Sequence, residues 1–586
     1  MIGASLFASN IGSEHFIGLA GSGAASGIYV GAFELNAMIL LQLLGWVNTL
    51  PEYMNKRFSG NRIRTCLAIL SLMLYIFTKI SVNMYSGAIF IEEAFHWKNL
   101  YLSVTVLVGL TALLTIGGGL SAVIYTDTLQ FFIMNFGSLF VAIKAFNMVG
   151  GYEELLTKYM TAIPEKLIPN TTCGIPRADS WVMLRDADPS KSDMPWPAFL
   201  LGQTPASIWY WCADQMMVQR VMAAKSLSHA QGSTIFAGYT KLLPLFFIIL
   251  PGMIARVLYP NEIGCADPVE CQKYCGSDTC TNYAYPKLAF SLMPNGLRGV
   301  MLSVMLSALI SDLTSIFNSA STLFTMDIWR LFRPRASSGE KLLVGRTFII
   351  ILVLISILWI PIIEKTQGGE LYIYIQAIAA YLAPPIAAVY CLAILYKRIN
   401  ETGAFWGLMS GFLVGVIRMV LDFSYKEPGC FEENQRPLII RHFHYMYFAM
   451  LLFWLTIGVA VVVSHCTDPP AEWMLIRTTF YTRYDKRERE DEITVSTKPE
   501  LELLQIPNET KDQVAFQEKL TKGKVANKTG IMDIICCLET GTDAKSKANE
   551  TEMNKHVAQL SNLHQEKWEK NLLNTMLVII VLLATY

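Results

Sequence analysis

Long apolar runs set the rhythm of this chain. A helix crosses a bilayer with about 20 mostly apolar residues. By that measure the sequence predicts spans near 2–25, 28–47, 64–93, 99–118, 120–148, 196–221, 230–258, 298–324, 342–363, 368–395, 403–424, 443–465 and 571–586. The expected fold class is all-α, a polytopic membrane protein of about 13 transmembrane helices. The first run is interrupted. Ala4 to Gly27 reads ASLFASNIGSEHFIGLAGSGAASG, and Ser9-Asn10-Ile11-Gly12-Ser13-Glu14-His15 puts helix-loosening polar residues in its middle. A broken backbone at membrane depth persists only where it lines a cavity or is buried in protein. Close packing through Gly18/Ser22 and Gly23/Gly27 accounts for the stretch equally well.

Loop charges orient the spans. Lys56, Arg57, Arg62 and Arg64 follow the second, Arg220 and Lys225 the sixth, Arg330, Arg333, Arg335 and Lys341 the eighth, and Lys397 and Arg398 the tenth. By parity all fall on one side, which is then cytoplasmic. The opposite loops carry Cys265, Cys271, Cys275, Cys280, Cys430 and the sequon at Asn170. Disulfides and N-glycosylation both belong to that side. The four clustered cysteines allow three pairings, which spacing does not choose. Zinc is the weaker use, since no His lies near. Thr467 to Glu569 is polar and dense in charge, as in Asp485 to Asp491, and predicts a partly disordered cytoplasmic tail. Its sequons at Asn508, Asn527 and Asn549 would then stay unused. The expected organisation is a membrane core over 1–466, this tail over 467–569 and a final helix over 570–586. Because the chain opens inside an apolar segment, Met1 reads as an internal methionine of a longer parent, or a first exon is missing.

Composition agrees and excludes. The chain is 53% hydrophobic and 16% charged with mean hydropathy +0.38, well below the roughly 25% charge of soluble domains. Its 47 basic and 47 acidic residues cancel, which argues against a nucleic-acid partner. No phosphate-binding loop of the GxxxxGK[ST] type occurs, which disfavours ATP-driven chemistry.

An ionisable side chain at bilayer depth costs roughly 2.5–3.5 kcal/mol, so each is a functional candidate. These are His15, Glu34, Asp127, Asp214, Lys241, Asp312 and Arg418, of which Arg418 is placed to snorkel. In the eighth span Ser303, Ser307, Ser311, Ser315 and Ser319 recur every four residues, with Thr314 and Asn318 beside them. That spacing lines one helix face. Hydroxyl and carbonyl oxygens suit an alkali cation, and Asp312 adds charge. Helix packing through small residues accounts for Ser303 and Ser319. Trp209-Tyr210-Trp211, Lys241 and Gln376 supply the hydrogen bonds and apolar platform that a sugar or polyol needs.

Several stretches carry a family resemblance: SLFASNIGSEHFIGLAGSGAASG (5–27), LYIFTKIS (74–81), AVIYTDTLQ (122–130), IWYWCADQ (208–215), PNGLRG (294–299), SIFNSASTLFTMDIW (315–329) and GAFWGL (403–408). The sequence resembles the sodium/glucose and sodium/myo-inositol cotransporters, the sodium:solute symporter family. The resemblance implies an inverted-repeat, leucine-transporter-like core with alternating access, a transporter rather than an enzyme. It implies a sugar site of Asn10, His15, Glu34, Tyr210, Trp211, Lys241 and Gln376, with Tyr210 stacked on the ring. It implies one sodium site at Ala8, Ile11, Ala308, Ser311 and Asp312 and a second at Ser9, Asp127, Thr314 and Ser315. The implied partners are a small sugar or polyol, sodium as coupling ion in place of any cofactor, and the lipid of the plasma membrane. A small accessory membrane subunit is compatible with this but not inferable from the residues.

The chain departs from the family in places. Asp312 stands where glucose carriers usually have Ser, and ISDLTSIFNSAS (310–321), GQTPAS (202–207) and Ser13-Glu14-His15 lean to the myo-inositol branch. MDIWRLFRPRAS (326–337) leans to hexose and mannose carriers. Between Trp46 and Pro51 a short stretch that the family usually carries is missing, so the second span would lose its cytoplasmic end. The family's extra amino-terminal helix is also missing. The leading expectation is sodium-coupled symport of a hexose such as glucose. The alternatives are a sodium/myo-inositol cotransporter, a sugar-gated sensor or ion-leak protein, and an incomplete form that does not transport.

Overall fold

The computed structural model describes residues 1–46, 51–95, 100–277, 279–334, 336–366, 371–425, 435–490 and 565–585. Every regular element among them is helical. Among the described residues, nine helices are long and apolar enough to cross a membrane. The expected runs at 2–25 and 196–221 are broken, so neither offers one continuous helix. That at 99–118 contains only the shorter apolar stretch Leu102–Leu113, and 571–586 falls within Lys567–Thr585. The runs 99–118 and 120–148 join as a single helix, Leu100–Val149. Gly117-Gly118-Gly119 weakens that helix without ending it, since glycine costs about 1 kcal/mol against alanine but keeps its backbone donor. Residues 47–50, where the second span is shortened, and most of the 467–569 tail lie outside the described residues, as do Cys430, Asn508, Asn527 and Asn549.

The chain divides into two compact units, Met1–Pro470 with Gln565–Tyr586, and Ala471–His564. In the second, the described residues form short turns at Glu472–Leu475 and Phe480–Thr482. The first unit has an internal repeat. It opens with α1 (Ile2–Ala8), an unwound Ser9–Gly12, a π-helical turn at His15–Leu19 and α2 (Ala20–Ser26). Then come α3 (Gly31–Trp46), α4 (Pro51–Phe58), α5 (Asn61–Leu74), a π turn at Tyr75–Ile80, α6 (Ser81–Phe95) and α7 (Leu100–Val149). Following α8 (Tyr152–Met160), the order recurs. A second broken span runs from Trp196 through Asp214 into α9 (Gln215–Met222), and α10 (Leu227–Thr240) and α11 (Leu250–Leu258) follow. The long α12 (Asn295–Leu323) again carries a π turn, Phe324–Trp329, before α13 (Ser338–Thr366) and α14 (Leu371–Leu395). By the loop charges the two broken spans run in opposite directions, which makes the repeat an inverted one. Outside it lie α15 (Glu401–Ser424), α16 (Tyr445–His465) and α17 (Lys567–Thr585), the last packed on α10 and α3.

Each break has a local cause. At Gly12, beside the unwound turn, a Cβ would meet Glu14 Oε2 at 2.2 Å and Asn83 Oδ1 at 2.5 Å, so those side-chain ends would have to move. Asp214 is extended (φ −71°, ψ 127°), and its carboxylate accepts from the Met216 amide at 3.0 Å, capping α9. The last carbonyls of α2, which no helix of its own can satisfy, are met from α8, α11 and the loop after α8. Tyr159 Oη donates to Gly23 and Ala24 at 3.2 and 3.1 Å, Arg256 Nη1 to Ala24 and Ala25 at 3.0 and 3.1 Å, and Arg185 to Ser26. Cations also suit a helix carboxyl end. Two disulfides staple the same side, Cys265–Cys271 and Cys275–Cys280, and Cys173 is disulfide-bonded as well.

Candidate functional site

The two breaks and α14 enclose a cavity of about 110 Å³, far above the roughly 10–15 Å³ that one water requires. Six of the seven expected sugar contacts line it: Asn10, His15, Glu34, Tyr210, Trp211 and Gln376. Lys241 sits behind them. Its Nζ donates to Asn10 Oδ1 and, at 2.9 Å, to Glu34 Oε2, and lies 5.0 Å from the centre of the Trp211 ring. Asn10 Nδ2 in turn donates to the Tyr210 hydroxyl, joining the two broken spans. His15 Nε2 is 3.6 Å from Glu34 Oε1. Tyr210, Asn10, Lys241 and Glu34 thus form one polar network beside a Trp–Tyr platform, a layout suited to a polyhydroxylated ring.

Six further polar lining residues were not anticipated: Glu14, Thr78, Lys79, Gln203, Ser207 and Tyr372. Gln203 Nε2 donates to Gln376 Oε1 at 2.8 Å. Lys79 Nζ stands 4.0 Å from the centre of the Tyr210 ring and pairs with Asp214, which Tyr75 also meets. Gln203 and Ser207 stand seven and three residues before Tyr210, a helical face that the spacing contains. Lys79 is an ionisable group inside an apolar run, the same signal that marks Lys241.

The expected ion residues divide between Asp312, which stands apart, and a cluster at Asp127. In the cluster, Ser311 Oγ donates to Asp127 Oδ1 at 2.6 Å and Ser5 Oγ to Asp127 Oδ2 at 2.7 Å. Arg220 completes it, with Nη2 3.1 Å from Asp127 Oδ2 and contacts to Ser5 and Ser315. Thr314 and Ser315 donate to the Ser311 carbonyl at 3.0 and 2.6 Å. Ser9 Oγ turns to the Leu6 carbonyl at 3.3 Å. Ala8, Ile11 and Ala308 are buried. Asp312 points elsewhere, accepting from Asn83 on α6.

Three cations read from sequence as loop or snorkelling charges are buried. Arg220 lies beside Asp127, as above. Arg57 donates to the carbonyls of Ala393, Tyr396, Lys397 and Ile399, four acceptors that cap the end of α14. Arg418 donates to Phe443 O at 3.1 Å and faces Asp422 at 3.6 Å, so it has partners inside and no reason to reach the interface.

The model of the sodium:solute symporter family matches residues 1–411 of the chain. The chain belongs to that family. Among curated relatives of this symporter, the sodium/myo-inositol cotransporter of Mus musculus is 54% identical over 502 residues, covering 82% of this chain and 70% of its own length. The sodium/myo-inositol cotransporter 2 of Oryctolagus cuniculus is 51% identical over 507 residues, covering 85% and 75%. Among solved structures, a Na+-coupled sialic acid symporter in a substrate-bound outward-open state superposes with a TM-score of 0.59 at 19% identity, over 80% of this chain and 90% of that one. At that identity the likeness is one of fold. The symporter is a multi-pass membrane transporter with a leucine-transporter-like core, and not an enzyme.

Proposed function

We propose that the chain carries myo-inositol into cells across the plasma membrane together with sodium, by alternating access. The observation that carries the substrate is the 54% identity to sodium/myo-inositol cotransporters over 82% of the chain. The expected hexose gives way to the cyclitol on that ground. The cavity is consistent with it: a ring with a hydroxyl on every carbon meets donors and acceptors all round, from Asn10, Glu34, His15, Gln203 and Gln376. Sodium held by oxygens near the first break would favour the conformation that admits substrate. Closure around the ring and opening to the cytoplasm would then release both. The membrane potential adds about 2.3 kcal/mol per charge per 100 mV, enough to concentrate a neutral solute.

Uptake of labelled myo-inositol in cells expressing the chain tests this. The expected result is uptake that disappears when sodium is replaced by choline and that excess myo-inositol competes better than glucose, mannose or fructose. Uptake indifferent to sodium would sink the reading, and stronger competition by glucose would restore the hexose. Gln376→Ala is expected to raise the KM for myo-inositol by about tenfold, as one or two lost hydrogen bonds of 0.5–1.5 kcal/mol each imply. Sodium current without substrate should stay intact.

A further inference from the structure

Three acid–base pairs in the interior neutralise themselves: Arg220 with Asp127 at 3.1 Å, Lys241 with Glu34 at 2.9 Å, and Lys79 with Asp214. Two carboxylates are left over. Glu14, 9% exposed, meets the His15 ring through Oε1 at 3.1 Å, while its Oε2 is buried with no hydrogen-bond partner. Asp312, 3% exposed, accepts one hydrogen bond, from Asn83 Nδ2. Among the described residues neither has a lysine or arginine at ion-pair distance. An uncompensated carboxylate in this environment is costly, and two close together more so.

Both converge on Asn83. Glu14 Oε2 and Asn83 Oδ1 crowd one point beside Gly12, at 2.2 and 2.5 Å from where a Cβ would stand. Ser13 Oγ lies 3.2 Å from the same Asn83 Oδ1 and 2.6 Å from Ser86 Oγ. Two carboxylates, an amide oxygen and a hydroxyl are the hard donors that a hard cation takes. They come from the first break, α6 and α12. We propose that Ser13, Glu14, Asn83 and Asp312 form a further sodium site, distinct from the Asp127 cluster and bordering the substrate cavity, whose wall includes Glu14. Asp312 then belongs with Glu14 rather than with Ala8 and Ile11. The site rests on the sodium-coupled reading above, and its test is separable from that of the reading.

The test is the number of ²²Na⁺ ions bound by the purified full chain, alongside the sodium dependence of myo-inositol uptake. Asp312→Asn and Glu14→Gln should each bind one ion fewer than the unaltered chain. Each should also raise the sodium concentration for half-maximal uptake by at least about tenfold, and the double variant should be no worse than either alone. Asn83→Ala, which keeps both charges, should raise that concentration by a smaller factor and keeps the test open if a charge variant fails to reach the membrane. Unchanged ion number in the variants would overturn the site. So would a Glu14→Gln variant whose sodium dependence is unaltered while its KM for myo-inositol rises, since that makes Glu14 a substrate ligand. Loss of sodium-driven uptake in the unaltered chain would instead sink the symport reading, while the binding count would still decide the site.

Discussion

Lys241 answers to two partners at once, Asn10 on the first break and Glu34 on α3. Its removal leaves Glu34 buried without its cation, the His15 ring standing 3.6 Å away. Breaking a buried pair from one side costs about 3–5 kcal/mol, so Lys241→Ala is expected to lower surface abundance several-fold as well as abolish uptake. Adding Glu34→Gln removes the stranded charge. The double variant should regain surface abundance in a biotinylation assay without regaining uptake, whereas additive losses would show that the pair is not coupled. Residues of this kind were legible in the sequence, because a charge or amide inside an apolar run has few bland explanations. The same signal extends to Lys79 and Arg220, which a motif and a loop position respectively conceal. Ser5 and Asn83 were not legible: a lone small polar residue on a membrane helix more often serves packing, and only the fold brings them to Asp127 and Asp312.

At the scale of elements, the break in the first span and its outer end, read at residue 25 against Ser26 in the structure, could both be read from the sequence, but not the contact that fixes that end. That end depends on Gly27, whose φ of +100° and whose contact with the loop beyond α8 are set by tertiary structure. A Cβ on Gly27 would stand 2.1 Å from the Ser180 carbonyl oxygen, to which the Ile28 amide donates at 2.9 Å. Strain of this type costs of order 1–3 kcal/mol before the clash is counted. Gly27→Ala should therefore lower the melting temperature of the purified protein by several degrees or prevent its recovery, while Gly109→Ala, with nothing within 4 Å, should leave it unchanged. Equal behaviour of the two would mean that the loop yields easily and does not fix the hinge. The joined helix α7 shows the other limit of pattern reading. Hydropathy finds two apolar runs there, but whether a glycine triplet ends a helix depends on the neighbours, and α12 packs along α7.

Within the first unit, the repeat forms two oppositely oriented halves whose broken spans meet near the cavity and again toward the cytoplasmic ends. Near the cavity Asn10 meets Tyr210, and toward the cytoplasmic ends Ser5 meets Arg220 at 2.9 Å, beside Asp127 and Ser315. If the proposed opening to the cytoplasm parts α1 from α9, the second contact opposes it. Ser5→Ala removes one partner of the guanidinium but leaves Arg220 paired with Asp127 at 3.1 Å, so the fold should survive. The loss of a hydrogen bond of about 0.5–1.5 kcal/mol shifts an equilibrium by roughly 2- to 12-fold. Cys212 reports on it, since its thiol is buried between the second broken span and Leu40, to whose carbonyl it donates at 3.5 Å. In inside-out vesicles, Ser5→Ala should speed labelling of Cys212 by a membrane-impermeant thiol reagent by that factor, and added myo-inositol should change the rate in both proteins. An unaltered rate in Ser5→Ala would place the closing contact elsewhere and leave Ser5 as an anchor for Asp127 alone.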